Sequence, residues 1–176
     1  MIDIRPATLN DARAIARVQV ETWKTAYRGV VADEFLDAFS EDDRTDRWSE
    51  ILLRPEQGSF VAEIESHGVI GFANGGPERD GREDFRGELY GLYVLPDWHG
   101  QGIGKQLVTT FAEWLLKSGS DTMLVWTLAD SPFRRFYERL GGKHVAERNI
   151  NIGEQPLVEV AYGWDDVQAI ATVEET

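Results

Sequence analysis

Residues 88–108 read ELYGLYVLPDWHGQGIGKQLV, and the expected architecture is built around this run. Glu88 to Pro96 carries few charges and is apolar on both alternating faces, the pattern of a strand buried on both sides and therefore central in its sheet. Glycines follow at 100, 102 and 104. Beyond them Ile103, Leu107, Val108, Phe111, Ala112 and Leu115 share one side of a helix that Gly119 stops. A strand, a glycine turn and a helix in this order point backbone N–H groups and a helix N-terminus at one place, where a phosphate is the natural guest. The glycines let such an anion approach without a Cβ in the way, and Lys105 can add a charge-assisted contact. Two common phosphate patterns fail here. A P-loop needs Gly in place of His99 and Ser or Thr in place of Gln106, and the dinucleotide fingerprint needs Gly in place of Lys105.

Outward toward the N-terminus, two runs at 58–65 and 68–75 read as strands joined by a tight connection at Ser66-His67-Gly68, and residues 75–87 as a polar loop. Ser40 followed by three acids opens a helix that ends before Pro55. A short strand at residues 2–5 precedes a helix start at Thr8 and Asp11, with Leu9, Ala12, Ala16, Val20 and Trp23 on its inward face. Toward the C-terminus come a strand (DTMLVWTL, 121–128), a short helix (SPFRRFYERLGG, 131–142) and a closing hairpin over 143–164. The last twelve residues contain acids and no base, the composition of a frayed, solvated tail. The order predicts one mixed α/β (α+β) domain over 1–164, with an acidic C-terminal tail at 165–176. Its sheet is mostly antiparallel, of about six to seven strands flanked by helices, with one parallel crossover near 88–126.

The chain has 176 residues, 18 Lys+Arg against 31 Asp+Glu, and a net charge of −13. That balance argues against non-specific binding to nucleic acid or an anionic membrane and leaves amines and other cations as partners. Charge is inverted locally: between 99 and 144, Lys105, Lys117, Arg134, Arg135, Arg139 and Lys143 outnumber Glu113, Asp121, Asp130 and Glu138. The absence of cysteine excludes disulfides, thiol catalysis and a cysteine zinc site. His67 and His144 lack metal-ligand spacing, so no metal is expected. With no apolar run for a secretory signal or a membrane span, the expected location is cytoplasmic.

ELYGLYVLPDWHGQGIGKQLV resembles the acetyl-CoA motif of the GNAT superfamily of N-acetyltransferases, and SPFRRFYERLGG resembles that superfamily's second motif. The likeness covers nearly the whole chain and implies a splayed central strand. It implies acetyl-CoA as co-substrate, with the pyrophosphate on the backbone amides of Gln101 to Lys105 (Gln101, Gly102, Ile103, Gly104, Lys105), Gly100 beside them on the cofactor side, and the pantetheine arm paired along Leu92, Tyr93 and Val94. The family pattern has Arg or Gln where His99 stands, and often Asn and Ala where Asp130 and Phe133 stand; all three departures fall on the cofactor side. By the same likeness Glu88 is the base that takes the proton of an ammonium with a free pKa of about 10.4, directly or through water. Tyr137 is the acid for the departing thiolate, and a backbone N–H near Val94 is the oxyanion donor.

Each role has a plainer counterpart in the residues themselves. Glu88 also reads as a strand-end surface carboxylate, and Tyr137 as a core aromatic. Trp23 and Tyr27 read equally as acceptor-pocket walls or as core. The expected activity is direct transfer of acetyl from acetyl-CoA to a primary amine of a small molecule or peptide. The rival is a non-catalytic acyl-CoA-binding regulatory module. Exposed edge strands would suit a homodimer.

Overall fold

The computed structural model describes residues 1–171. Seven strands form one open sheet: β1 (Ile2–Pro6), β2 (Gly58–Ile64), β3 (Gly68–Pro77), β4 (Gly87–Val94), β5 (Met123–Leu128), β6 (Lys143–Ile152) and β7 (Gln155–Trp164). Their spatial order is β1-β2-β3-β4-β5-β7-β6, which puts the quoted strand in the middle. All pairings are antiparallel except β4 with β5. Helices α1 (Ala12–Ala26), α2 (Asp33–Asp37) and α3 (Glu41–Ile51) come between β1 and β2. The helix α4 (Ile103–Lys117) makes the crossover from β4 to β5, and α5 (Arg134–Arg139) follows β5.

Because strand side chains alternate between faces, β3 sends Phe72 against Trp48 of α3 and leaves Gly75 on the other face under Phe111 of α4. A Cβ at Gly75 would lie 2.3 Å from the Phe111 ring, so α4 packs this close only over glycine. Its six expected inward residues are all buried. The inward face of α1 holds at Ala12, Ala16 and Val20, whereas Leu9 is exposed because it lies in a 3-10 turn ahead of the helix.

Two features of β4 shape the site. It pairs with β5 only from Gly87 to Leu89, and the strands then part, leaving the β5-facing edge open toward Val94. On its other side Asn74 pairs with Gly91 and Gly75 with Leu89, so Tyr90 is an extra residue, a β-bulge that re-aims the side chains beyond it.

Two expectations change. The polar loop at 75–87 anchors itself through buried Phe85, which packs where Gly163 has no side chain. The segment expected to be solvated from Asp165 onward instead turns back as α6 (Gln168–Ala171), burying Val167 and Ile170. Val167 N–H donates to Asp121 O at 2.8 Å, and Thr109 of α4 donates to Ile170 O at 3.4 Å. Two apolar residues outweigh the acids nearby because each buried aliphatic side chain stabilises by about 1.5–3 kcal/mol. The rest of that segment lies outside the described residues. Among the described residues no helix is long and apolar enough to cross a membrane.

The entry to α1 carries a testable electrostatic feature. Asp11 accepts both guanidinium arms of Arg5 at 2.8 Å and the Thr8 N–H at 2.7 Å. The Arg5 hydrogen bonds hold its carboxyl down at about 2. A depressed carboxylate stabilises the fold fully above its unfolded value near 3.9, and that contribution is lost as pH falls toward 2. Asp11→Asn is therefore expected to cost about 2 kcal/mol at pH 7, with most of the difference gone by pH 2. Urea unfolding at both pH values checks this; an unchanged difference at low pH would count against it.

Candidate active site

The parting of β4 and β5 opens a groove of about 440 Å³ whose walls are Leu92, Tyr93 and Val94, the turn from His99 to Lys105, and the start of α5. Gly100 and Gly102 have φ of +76° and +77°, the left-handed region that favours glycine. Alternating left-handed residues curl their amides into an anion-binding nest. Gln106 N–H makes the first helical bond, to Gly102 O, so the N–H groups of Ile103, Gly104 and Lys105 at the head of α4 are left for a guest. Gly104 also lets α4 lie close to α5: a Cβ there would be 3.3 Å from the Phe136 ring. Lys105, Arg135 and Arg139 stand at the wall, giving the groove the positive charge a phosphate needs in an acidic protein.

His99, on the turn, points its Nε2 at Val94 O at 2.7 Å. A carbonyl only accepts, so the imidazole donates, and it ties the glycine turn to the end of β4. Its ring also meets Phe133 edge-on at 5.5 Å. Asp130 and Gln101, expected on the cofactor side, do not line the groove, and Gln101 Nε2 reaches back to Asp97 O at 3.4 Å. Ser131 takes the wall position beside Asp130.

A second cavity of about 170 Å³ lies at the same parting, with Trp23, Tyr27, Tyr90, Trp126, Glu159 and Tyr137 among its walls. Tyr137 and Tyr27 line both cavities. Tyr137 is only 7% exposed. Its ring stacks on Tyr162, whose hydroxyl donates to Glu138 at 2.8 Å, and Arg134 braces the preceding turn by donating to Ala129 O at 2.8 Å. Burial, with the neighbouring Tyr27 and Tyr93 phenols, pushes its ionisation well above the ordinary tyrosine value, so it stays protonated. Burial raises Tyr27 likewise. Trp23 donates its Nε1–H to Tyr93 O–H at 3.1 Å and meets Tyr27 edge-on at 4.9 Å, so Trp23 is both core and wall.

Glu88 is placed differently from what its strand position suggests. It is 1% exposed and lines neither cavity. Arg79, from the polar loop, grips both its oxygens, Nη2 to Oε1 at 2.5 Å and Nε to Oε2 at 3.2 Å, and adds its own backbone N–H at 3.1 Å. The carboxylate that does reach the second cavity is Glu159, which Arg148 holds at 2.8 Å while stacking over Trp126 at 4.0 Å. Neither Glu159 nor Trp126 is signalled locally, since each is one of many alternating residues in a strand.

Among the described residues, two buried side-chain polar atoms lack a hydrogen-bond partner: Thr22 Oγ1, on a residue of the groove wall, and Trp126 Nε1, on a residue of the second cavity. Buried polar groups in a well-paired fold call for a partner, which a water or a ligand in the adjoining cavity can supply. With the glycine nest, the basic wall and the open strand edge, they fit a long phosphate-bearing guest in the groove and a second molecule across the parting.

Comparison with known proteins agrees with this geometry. The family model described as Acetyltransferase (GNAT) family matches residues 20–142. The uncharacterized N-acetyltransferase YuaI of Bacillus subtilis (strain 168) is 36% identical over 173 residues, covering 98% of both chains. The fold is shared with PaiA N-acetyltransferase from Thermoplasma acidophilum in complex with coenzyme A (TM-score 0.69, 20% identity, 90% of this chain and 98% of that one). It is shared as well with yncA from Salmonella typhimurium with its cofactor acetyl-CoA (TM-score 0.68, 20% identity, 93% of each). On the family match and the near full-length likeness to YuaI, this chain is an enzyme that belongs to the acetyltransferase (GNAT) family.

Proposed function

We propose that the described residues, 1–171, form an N-acetyltransferase domain that moves the acetyl group of acetyl-CoA directly to a primary amine of a small molecule or peptide, in the cytoplasm. The observation that carries this reading is the pair of cavities meeting at one parted strand edge with Tyr137 on both. The amides of Gly102 to Lys105 and the cations Lys105, Arg135 and Arg139 hold the pyrophosphate; the open edge of Leu92 to Val94 takes the pantetheine arm. Acetyl-CoA supplies an activated carbonyl with a thiolate leaving group. The amine nitrogen forms a C–N bond as the C–S bond breaks, the amine gives up a proton, and the sulfur receives one from the Tyr137 hydroxyl, which regains a proton from solvent. A backbone N–H near Val94 polarises the carbonyl oxygen, and the proximity of the two bound molecules supplies most of the rate.

The family likeness assigns amine deprotonation to Glu88, but with both oxygens on Arg79 that carboxylate is better suited to positioning Arg79. Glu159, facing the second cavity, takes the proton through solvent in this reading. Glu159→Gln is expected to lower kcat/KM about tenfold near neutral pH and to recover as pH rises and the free amine becomes abundant. A larger loss in Glu88→Gln, recovering in the same way, would return the role to Glu88. The open sheet edges, β1 and β6, are where a second copy would pair, and a homodimer is part of the proposal.

Calorimetric titration with acetyl-CoA, followed by thiol release across a panel of amines, tests the function. Binding with turnover of at least one amine is expected. Binding without turnover on any amine would mean a module that only holds the cofactor. His99→Ala is expected to weaken acetyl-CoA binding by about three- to tenfold, because one hydrogen bond anchoring the turn is lost. Unchanged affinity would assign the imidazole a structural role alone.

A further inference from the structure

A third cavity, of about 200 Å³, lies on the α3 side of the sheet, and its lining is unlike the rest of the surface. In a chain with 31 acidic and 18 basic residues, its wall contains three arginines and no acid. Arg47 comes from α3, Arg54 from the turn after it and Arg79 from the loop before β4. Gln19 and Gln57 stand with them, and Asn74 lies buried at the base, its amide nitrogen donating to Ser59 Oγ at 2.8 Å. Two of the charges are answered from outside the wall: Glu50 accepts from Arg47 at 3.3 Å, and Glu88 holds Arg79. Arg54 is half-buried, and its guanidinium has no ion pair or hydrogen bond among the described residues.

This cavity neighbours the second one. Both are lined by Tyr90, Gly91 and Tyr93, the bulge and the two residues that flank the turn of β4 into the reaction edge. Gly91 lets the Tyr93 ring lie close against the strand at this boundary, since a Cβ there would lie 2.8 Å from that ring. At about 200 Å³ the space is smaller than the 300–1,000 Å³ of a typical complete ligand pocket. It suits one end of a molecule whose other end lies across the bulge.

We propose that this cavity is an anion seat that selects, as acceptor, a small amine carrying a compact oxyanion, with the anion on Arg54 and Arg47 and the amine across Gly91 at the Leu92 edge. The inference rests on the acetyltransfer reading and names its substrate class. Guanidinium groups match carboxylate and phosphate oxygens with paired hydrogen bonds. The same wall repels a second ammonium, so diamines and polyamines are disfavoured. Buried Glu88 acquires a purpose in this arrangement: it fixes the rim guanidinium of Arg79 while leaving Arg54 unanswered. The acidity of the whole chain does not oppose an anionic acceptor here, because the field at the seat is set by the nearest charges.

The test compares acceptors that share one carbon skeleton at saturating acetyl-CoA: amino acids, their carboxamides, the aminoalkylphosphonates and the decarboxylated amines and diamines. The acid-bearing members are expected to have kcat/KM at least tenfold above their neutral partners, and the carboxylate and phosphonate arms identify which oxyanion fits. Arg54→Gln, with Arg47→Gln as a second variant, is expected to raise KM for acid-bearing acceptors ten- to a hundredfold. It should leave kcat, neutral amines and acetyl-CoA affinity unchanged. Equal use of acids and amides, preference for diamines, or a loss in Arg54→Gln that is the same for neutral amines would overturn the seat while leaving acetyl transfer standing. Failure to bind acetyl-CoA would instead sink the acetyltransfer reading. Should no amine turn over, calorimetric titration with malonate and with inorganic phosphate decides the seat. Saturable binding abolished in Arg54→Gln supports it, and no binding at tens of millimolar rejects it.

Discussion

Tyr137→Phe is expected to lower kcat by about 10²- to 10³-fold while leaving acetyl-CoA affinity within about threefold, because a positioned proton donor contributes on the order of 10²–10⁴ to such a step. The substitution removes one oxygen and keeps the ring, so the stack on Tyr162 and the edge contact with Phe136 survive. Those contacts make the experiment clean: loss of activity with an unchanged unfolding midpoint assigns the effect to the hydroxyl. The raised ionisation of Tyr137 adds a pH signature. The free amine becomes more abundant as pH climbs toward about 10, while the buried phenol remains a donor throughout. The wild-type rate at subsaturating acceptor should therefore rise from pH 7 to 9 with no descending limb from Tyr137. Turnover unchanged in Tyr137→Phe would leave it as a core aromatic and move thiolate protonation to water.

Gly102→Val is expected to weaken acetyl-CoA binding by about a hundredfold. Two costs combine: a β-branched residue at φ +77° is strained by roughly 1–3 kcal/mol, and the relaxed loop no longer aims the amides that open α4. The control is Gly119→Ala at the other end of the same helix. It too has positive φ, +85°, and open space around a new Cβ, but it touches no cavity wall. Both variants should lose some stability, and only Gly102→Val should lose affinity. Calorimetric titration with acetyl-CoA and with desphospho analogues reads the difference, and equal losses in the two glycine variants would show that the nest is not the phosphate cradle.

Much of the architecture is legible in the chain because it is written in short-range spacing. The buried strand at 88–96, the glycines at 100, 102 and 104 and the six inward residues of α4 are contiguous patterns, and a contiguous pattern determines its own local conformation. The order of the remaining strands and helices follows from the same periodicities. The glycine turn is legible for the same reason, since the amides of a turn stay with the turn wherever it packs.

The acceptor side is a different case. Tyr90 is one residue too many against β3, and a single bulge changes which face every later side chain of β4 presents, an effect invisible in ELYGLYV because both faces there are apolar. Whether Glu88 is free to act depends on Arg79, nine residues away in a loop whose course depends on Phe85 finding the gap at Gly163. Glu159 and Trp126 reach the cavity because β7 lies between β5 and β6. Arg47 and Arg54 share one cavity because α3 packs on β3 through Trp48 and Phe72. Local patterns in the chain were enough to specify the strand, turn and helix that wall the groove. Which charges face the two smaller cavities was left to tertiary packing, because those contacts join residues distant in the chain, and packing chooses between faces that local spacing leaves equivalent.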